Sequence, residues 1–99
     1  MNEKQYCDAI EGVLSKDGVQ FQREFILPEA FDGEHPGRNH VDFLIDNKII
    51  LEVKAKRLVD RDDYYQTKRY LGALNLKFAI IVNFREKALN LRRILNSKV

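Results

Sequence analysis

Two neighbouring apolar segments of the chain, residues 40–46 and 49–55, contain charged side chains. Residues two apart on a strand share a face, so Glu52 and Lys54 are predicted to point the same way. Asp42 comes within reach of them if the two segments pair as a hairpin. Two carboxylates and a lysine that converge on one point can bind a divalent cation and activate a water beside it. An unpaired charge among apolar side chains is costly, so these carboxylates would need a compensating cation.

A structural ion pair is the alternative for these three residues. One lysine balances only one of the two acids, and the second would stay unpaired. The catalytic interpretation is therefore favoured for Asp42, Glu52 and Lys54. His40 shares a face with Asp42, but a surface or core role is favoured for this histidine.

The surrounding sequence predicts the elements that would position these side chains. Residues 3–16 and 60–75 have the apolar spacing of helices, and Asp60 is a suitable N-cap for the second. Strands are predicted at 19–27, 38–46, 48–55 and 78–82, with a loop at 28–37 and, in the tail, a final strand favoured over a helix. The order αβββαβ requires a helical crossover between parallel strands. It predicts an α/β domain with a mixed sheet flanked by helices.

Length and composition limit the class of protein. A chain of 99 residues, 44% apolar and 32% charged, predicts one globular domain over residues 1–99. The single cysteine, Cys7, excludes an intrachain disulfide and a CxxC metal site. No apolar run approaches the length of a membrane span, and the polar start is no signal peptide, so a cytoplasmic protein without membrane contact is expected.

The charge is distributed unevenly along the chain. Residues 1–46 hold 4 Lys/Arg and 10 Asp/Glu, whereas residues 47–99 hold 13 and 5. The second half is therefore able to present a basic surface to a polyanion, although an ordinary solvated surface is favoured on charge alone. The candidate phosphate contacts are Lys68, Arg69, Arg85, Arg92 and Arg93.

Several short motifs occur in a fixed order along the chain. They are ExxY at 3–6, an Asp-bearing strand at 41–45, Glu-x-Lys at 50–55, QxxxYL at 66–71, I-x-N-F at 81–84 and a basic tail at 92–94. This set resembles the PD-(D/E)xK nuclease superfamily, and more closely its short bacterial proteins named for a GxxExxY motif. The resemblance covers roughly residues 3–95, and the ordered set is more specific than any single motif. It implies a restriction-endonuclease-like αβββαβ core.

The resemblance implies a role for each matching strand residue. Asp42, Glu52 and the Val53 carbonyl would bind Mg²⁺, for which Mn²⁺ can substitute. Lys54 would orient or help deprotonate the attacking water and stabilise the charge that develops on the phosphate.

Residues on the two helices also receive implied roles. Gln66 and Tyr70, one turn apart, would position the nucleic-acid strand or a water at the metal, and Glu3 would be a further ligand at the edge of the site. From the residues alone, site and packing roles are evenly balanced for Gln66 and Tyr70. Glu3 is favoured as plain helix surface.

The sequence thus predicts a metal-dependent nuclease that hydrolyses DNA phosphodiester bonds. Two alternatives remain open. A homodimeric, junction-resolving nuclease would enlarge the small surface that one copy offers to DNA. A non-catalytic domain of the same fold would bind DNA or a protein partner, but the intact Asp, Glu and Lys set argues against it.

Overall fold

The computed structural model describes residues 2–27, 39–85 and 88–96, without the side chains of Arg85 and Ala88. The loop predicted at 28–37 lies outside these residues. The described chain forms two helices and five strands. They are α1 (Glu3–Lys16), β1 (Phe21–Ile26), β2 (His40–Ile45), β3 (Ile49–Lys54), α2 (Arg61–Leu74), β4 (Phe78–Arg85) and β5 (Ala88–Leu95). The predicted order is confirmed, and the tail forms the strand that the sequence favoured.

Both helices begin at a capping box, which satisfies backbone N–H groups that have no partner inside the helix. Asn2 caps α1 together with Gln5, and this places Glu3 in the first turn. Asp60 caps α2 as predicted, and the Asp63 side chain accepts a hydrogen bond from the Asp60 backbone N–H at 2.9 Å. Neither helix, at 14 residues each, is long and apolar enough to cross a bilayer.

The strands form one sheet in the order β1-β2-β3-β4-β5. β3 and β4 are parallel and are connected through α2, whereas the other neighbouring pairs are antiparallel. The mixed sheet of an α/β fold is therefore confirmed. The two helices lie on opposite faces of this sheet.

Each helix buries one face of the sheet. The α2-side core contains Tyr70 and Leu71 of α2, Leu27 just after β1, and the strand residues Val41, Leu44, Ile50, Ala79, Ile81 and Ile94. The α1-side core contains Cys7 of α1 with Phe43, Val53 and Val82. Alternation along β3 thus sends Ile50 to one face and Val53 to the other, as a strand buried on both faces requires.

The β2–β3 turn lies at the predicted junction of the two strands, whereas β4 is longer than predicted. The β2–β3 turn is centred on Asp46 and Asn47, both with φ of 56°, which is the left-handed pair that a tight hairpin needs. β4 extends beyond the predicted end at Val82. Asn83 is buried there, and Phe84 stacks on Tyr6 with ring centroids 4.2 Å apart, so contacts with other elements prolong the strand.

Candidate active site

The hydrogen-bonded ladder between β2 and β3 ends where the charged residues begin. The ladder runs from Ile45–Ile49 to Phe43–Leu51. Beyond it, the Asp42 carboxylate accepts a hydrogen bond from the Val53 backbone N–H at 2.7 Å. The N–H and C=O of a strand residue point to the same neighbouring strand, so the Val53 carbonyl also faces β2.

β2 also changes face at this level. Phe43 lies in the α1-side core, whereas Val41, two residues away, lies in the α2-side core. Residues two apart normally share a face, so the alternation breaks at Asp42. On the adjacent strand, Glu24 has φ of 52°, a conformation that non-glycine residues rarely adopt. This local break is what turns the Asp42 carboxylate towards β3.

Glu52 is the buried acid of the site. It is 5% exposed, and its Oε1 atom has no hydrogen-bond partner within the described residues. Burial raises the pKa of the Glu52 carboxyl well above its usual value, and the charge of Asp42 raises it further. Lys54 and a hydrogen bond from the Asp42 backbone oppose this rise. Two close carboxylates, one with an unsatisfied buried oxygen, form a place that a cation would stabilise.

The donor set fits a hard divalent ion. Asp42, Glu52 and the Val53 carbonyl all present oxygen, which Mg²⁺ prefers. No group of three or more His, Cys, Asp or Glu side chains is arranged to hold a metal among the described residues. Mg²⁺ tolerates this, because it is usually bound through one or two carboxylates while it keeps waters and contacts substrate phosphates.

A cavity of about 340 Å³ opens above these carboxylates. It is lined by Glu3, Asn39, His40, Asp42, Glu52, Lys54, Gln66 and Tyr70. The six side chains selected from the sequence are therefore brought together. Asn39 was missed, and His40 had been favoured for another role. A larger cavity of about 630 Å³, at the opposite end of β2 and β3, is lined by a single charged residue, Asp46, so size alone does not identify the site.

The helix residues reach this cavity from both sides of the sheet. Tyr70 is 4% exposed and packs in the α2-side core, and its hydroxyl donates to Asn39 Oδ1 at 3.3 Å. Gln66 is exposed one turn earlier. From α1, the Glu3 carboxylate accepts a hydrogen bond from the Ala55 N–H at 3.4 Å. Tyr70 thus packs against the sheet and lines the cavity at once.

Lys54 forms its ion pair with α2. Its Nζ atom lies 3.8 Å from Asp63 Oδ1, and Lys56 Nζ lies 2.7 Å from Asp63 Oδ2. Burial would raise the pKa of Asp63, but hydrogen bonds from Lys56 and the Asp60 backbone hold it below its usual value. No pattern in the sequence connects Asp63 with Lys54. Because Asp63 follows the Asp60 cap by three residues, it indicates only the start of a helix.

The basic residues of α2 lie on different flanks of the helix. Arg69 follows Gln66 by three positions and shares its flank, whereas Lys68 follows by two and lies on the opposite flank. Both are exposed.

The basic residues of the last strands are also divided. Arg92 pairs across the ladder with Ile81, which lies in the α2-side core, so Arg92 is on the face that carries Glu52. Arg93 is its neighbour on the strand and points to the other face. The predicted contact at Arg85 concerns a side chain outside the described part. The five candidate phosphate contacts are therefore not gathered on one surface.

The sequence matches a known protein family, and the fold resembles solved structures. The PD-(D/E)XK nuclease superfamily model matches residues 1–94. None of the curated proteins gives a significant match. The crystal structure of SSO0001 superimposes with a TM-score of 0.70 at 19% identity, over 93% of this chain and 48% of that one. An alkaline exonuclease (LHK-Exo) from Laribacter hongkongensis gives a TM-score of 0.63 at 11% identity, over 96% and 55%.

At these identities the two structures show the fold alone, and they confirm the predicted fold class. This chain spans about half the length of each of them. Nucleases of the matched superfamily generally use divalent metal ions. The GxxExxY subtype stays a prediction. The match over nearly the whole sequence shows that the chain belongs to the PD-(D/E)XK nuclease superfamily.

Proposed function

We propose that this protein is a Mg²⁺-dependent nuclease that hydrolyses DNA phosphodiester bonds. The observation that carries the proposal is the buried Glu52 Oε1, which lacks a hydrogen-bond partner among the described residues and lies beside a second carboxylate, Asp42. Such an arrangement destabilises the metal-free protein, and a bound cation would offset that cost. Membership of a nuclease superfamily supports hydrolysis as the reaction.

Each residue around the cavity has a part in this proposal. Asp42, Glu52 and the Val53 carbonyl would hold the ion, which supplies Lewis acidity and raises the availability of hydroxide. Lys54, on the same face as Glu52, would orient the attacking water and offset the charge that develops on the phosphate. Its ammonium also lies 3.8 Å from Asp63 on α2.

The outer residues of the cavity would position the nucleic acid. The Tyr70 hydroxyl is held by Asn39, so it presents a fixed polar atom to a backbone or a water. Gln66 lies one turn earlier and would add an amide to the same flank. Glu3, which contacts the Ala55 N–H, would support the ion through a water or bind it directly.

Incubation with single-stranded, duplex and branched DNA, and with RNA, in Mg²⁺, Mn²⁺ or chelator tests the function. We expect metal-dependent cleavage of DNA that Asp42→Asn abolishes, since the variant loses a ligand while keeping the side-chain shape. Cleavage that persists at the wild-type rate in this variant would contradict the proposed role of Asp42 as a metal ligand. DNA binding without cleavage in either metal would favour the non-catalytic domain. A preference for branched DNA, with a dimer in sedimentation, would favour the junction-resolving alternative.

Divalent binding should weaken as the pH falls. The raised pKa of Glu52 means that metal-free protein keeps a proton there up to a higher pH than an ordinary carboxyl, and a bound ion must displace it. Below that pKa, Mn²⁺ affinity should fall by up to about tenfold per pH unit. Calorimetric titration across pH measures this. An affinity that varies only where free glutamate titrates would contradict it.

Arg92 and Arg93 provide a matched pair for testing DNA contacts. Arg92 lies on the face that carries Glu52, whereas Arg93 lies on the opposite face. We expect Arg92→Ala to reduce the slope of log affinity against log salt by about one and to weaken all sequences equally, because one phosphate contact is lost. Arg93→Ala should change the slope much less. Anisotropy titrations across salt decide this, and equal effects would mean that DNA also covers the α1 side.

A further inference from the structure

Two lysines share one buried carboxylate beside the proposed site. Asp63 is 8% exposed, and its oxygens lie 2.7 Å from Lys56 Nζ and 3.8 Å from Lys54 Nζ. The first distance is a charge-assisted hydrogen bond, and the second is too long for one. Lys54 also lies close enough to Glu52 to favour its charged form. The Lys54 ammonium is therefore placed between two acids and is hydrogen-bonded to neither among the described contacts.

Hydrogen bonds between the Asn83 side chain and the backbone of Lys56 fix the position of Lys56. Asn83 on β4 is 2% exposed, and its side-chain amide binds both backbone polar groups of Lys56. Asn83 Oδ1 accepts the Lys56 N–H at 3.0 Å, and Asn83 Nδ2 donates to the Lys56 carbonyl at 2.9 Å. These two hydrogen bonds extend the β3–β4 pairing beyond Lys54, where β3 ends. They hold Lys56 so that its ammonium reaches Asp63.

We propose that Lys56 is a positioning residue for Lys54: by occupying Asp63, it keeps the Lys54 ammonium available to the metal site. The inference rests on the proposed nuclease function and deepens it.

The reason is competition for a buried charge. If Lys56 is removed, Asp63 becomes a nearly buried carboxylate that has lost its closest cation, which is strongly unfavourable. Lys54 is the other cation beside it in the described part of the chain, and a rotamer change of about 1 Å would convert the 3.8 Å separation into a hydrogen bond. Lys54 would then be drawn towards Asp63 and away from Glu52, because the unpaired Asp63 charge attracts its ammonium.

NMR spectra of the lysine ammonium groups in metal-free protein test this directly. An ion-paired ammonium exchanges its protons slowly and gives a sharp signal. In wild type, we expect the sharp signal from Lys56 and a broadened one from Lys54. In Lys56→Met, which removes the charge but keeps the chain length, the Lys54 signal should become sharp. A Lys54 signal that does not change would overturn the proposal, whether or not the protein cleaves DNA.

Kinetics of a double variant test the consequence for the reaction. Lys56→Met should lower kcat by about tenfold with little change in KM, a loss within the range of coupled charge networks. Adding Asp63→Asn removes the competing acid, so the double variant should recover to within about threefold of Asp63→Asn alone. Lys56→Arg, which keeps the charge, should stay near wild type. Lys48→Met, in the turn at the opposite end of β3, is the control.

The outcomes separate positioning from a structural role. Loss of stability alone would lower the folded fraction, and a correction from thermal unfolding would remove its effect on kcat. A double variant as slow as Lys56→Met, or a Lys56→Met variant as fast as wild type, would overturn the proposal. If wild type cleaves no nucleic acid, the nuclease function fails, and the NMR comparison still decides whether Lys56 keeps Lys54 away from Asp63.

Discussion

Replacing Lys54 by methionine is expected to lower the single-turnover cleavage rate by about a hundredfold to a thousandfold and to leave the fold intact. A loss of this size is typical when a group that assists proton transfer or stabilises developing charge is removed. The fold should survive because Lys56 still binds Asp63 at 2.7 Å, and because Glu52, whose pKa is already raised by burial, can take up a proton when Lys54 is lost. Single-turnover rates in Mg²⁺ measure cleavage, DNA affinity measures substrate binding, and thermal unfolding measures the stability of the fold.

Lys48→Met is the matched control, because it removes the same charge at the other end of β3. It should cleave at the wild-type rate. An unfolded Lys54→Met would show that the lysine has a structural role, and an active one would show that the chemistry does not need it. Both outcomes contradict the prediction in distinguishable ways.

Most of the fold follows from local patterns in the sequence. The apolar spacing of α1, the Asp60 cap of α2 and the apolar run of β4 each specify their element without help from the rest of the chain. The strand ends were less predictable. β4 continues to Arg85 because Asn83 and Phe84 find partners on other elements, and the amino-acid types alone do not reveal such partners.

The centre of the site was predictable for a simple geometric reason. Glu52 and Lys54 are two apart on a strand, and a hairpin brings Asp42 beside them. The hydrogen bond from Val53 to Asp42 was not predictable, because it depends on the face change in β2 and on the unusual backbone of Glu24.

The contacts around Lys54 could not be predicted from the sequence, for a different reason. Asp63 carries an ordinary N-terminal helix signal, and nothing local shows that the start of α2 lies against the end of β3. Similarly, Arg92 and Arg93 are neighbours in sequence but face opposite sides of the sheet, so a run of basic residues does not imply one basic surface.

Glu52→Gln is expected to stabilise the metal-free protein. The pKa of Glu52 is raised in the folded protein, so its contribution to stability is present at low pH and is lost as the pH rises through that value. At neutral pH, the wild type therefore bears the cost either of burying the Glu52 charge or of holding a proton on it, and the neutral amide removes that cost. We expect a gain of about 1–3 kcal/mol in the free energy of unfolding, or several degrees in Tm.

Two conditions should reduce or reverse the stability gain of Glu52→Gln, and together they identify its cause. At low pH, Glu52 takes up a proton, so the gain should shrink. In saturating Mn²⁺, the wild type gains stability by binding the ion, whereas Glu52→Gln lacks a ligand and should not. Glu24→Gln, which removes the same charge from an exposed position, should change stability by less than about 0.5 kcal/mol in every condition. Denaturant unfolding of the three proteins, with and without Mn²⁺, measures all of these effects. A destabilised Glu52→Gln would mean that the charged carboxylate is compensated without a metal, and the argument for a cation at this site would fail with it.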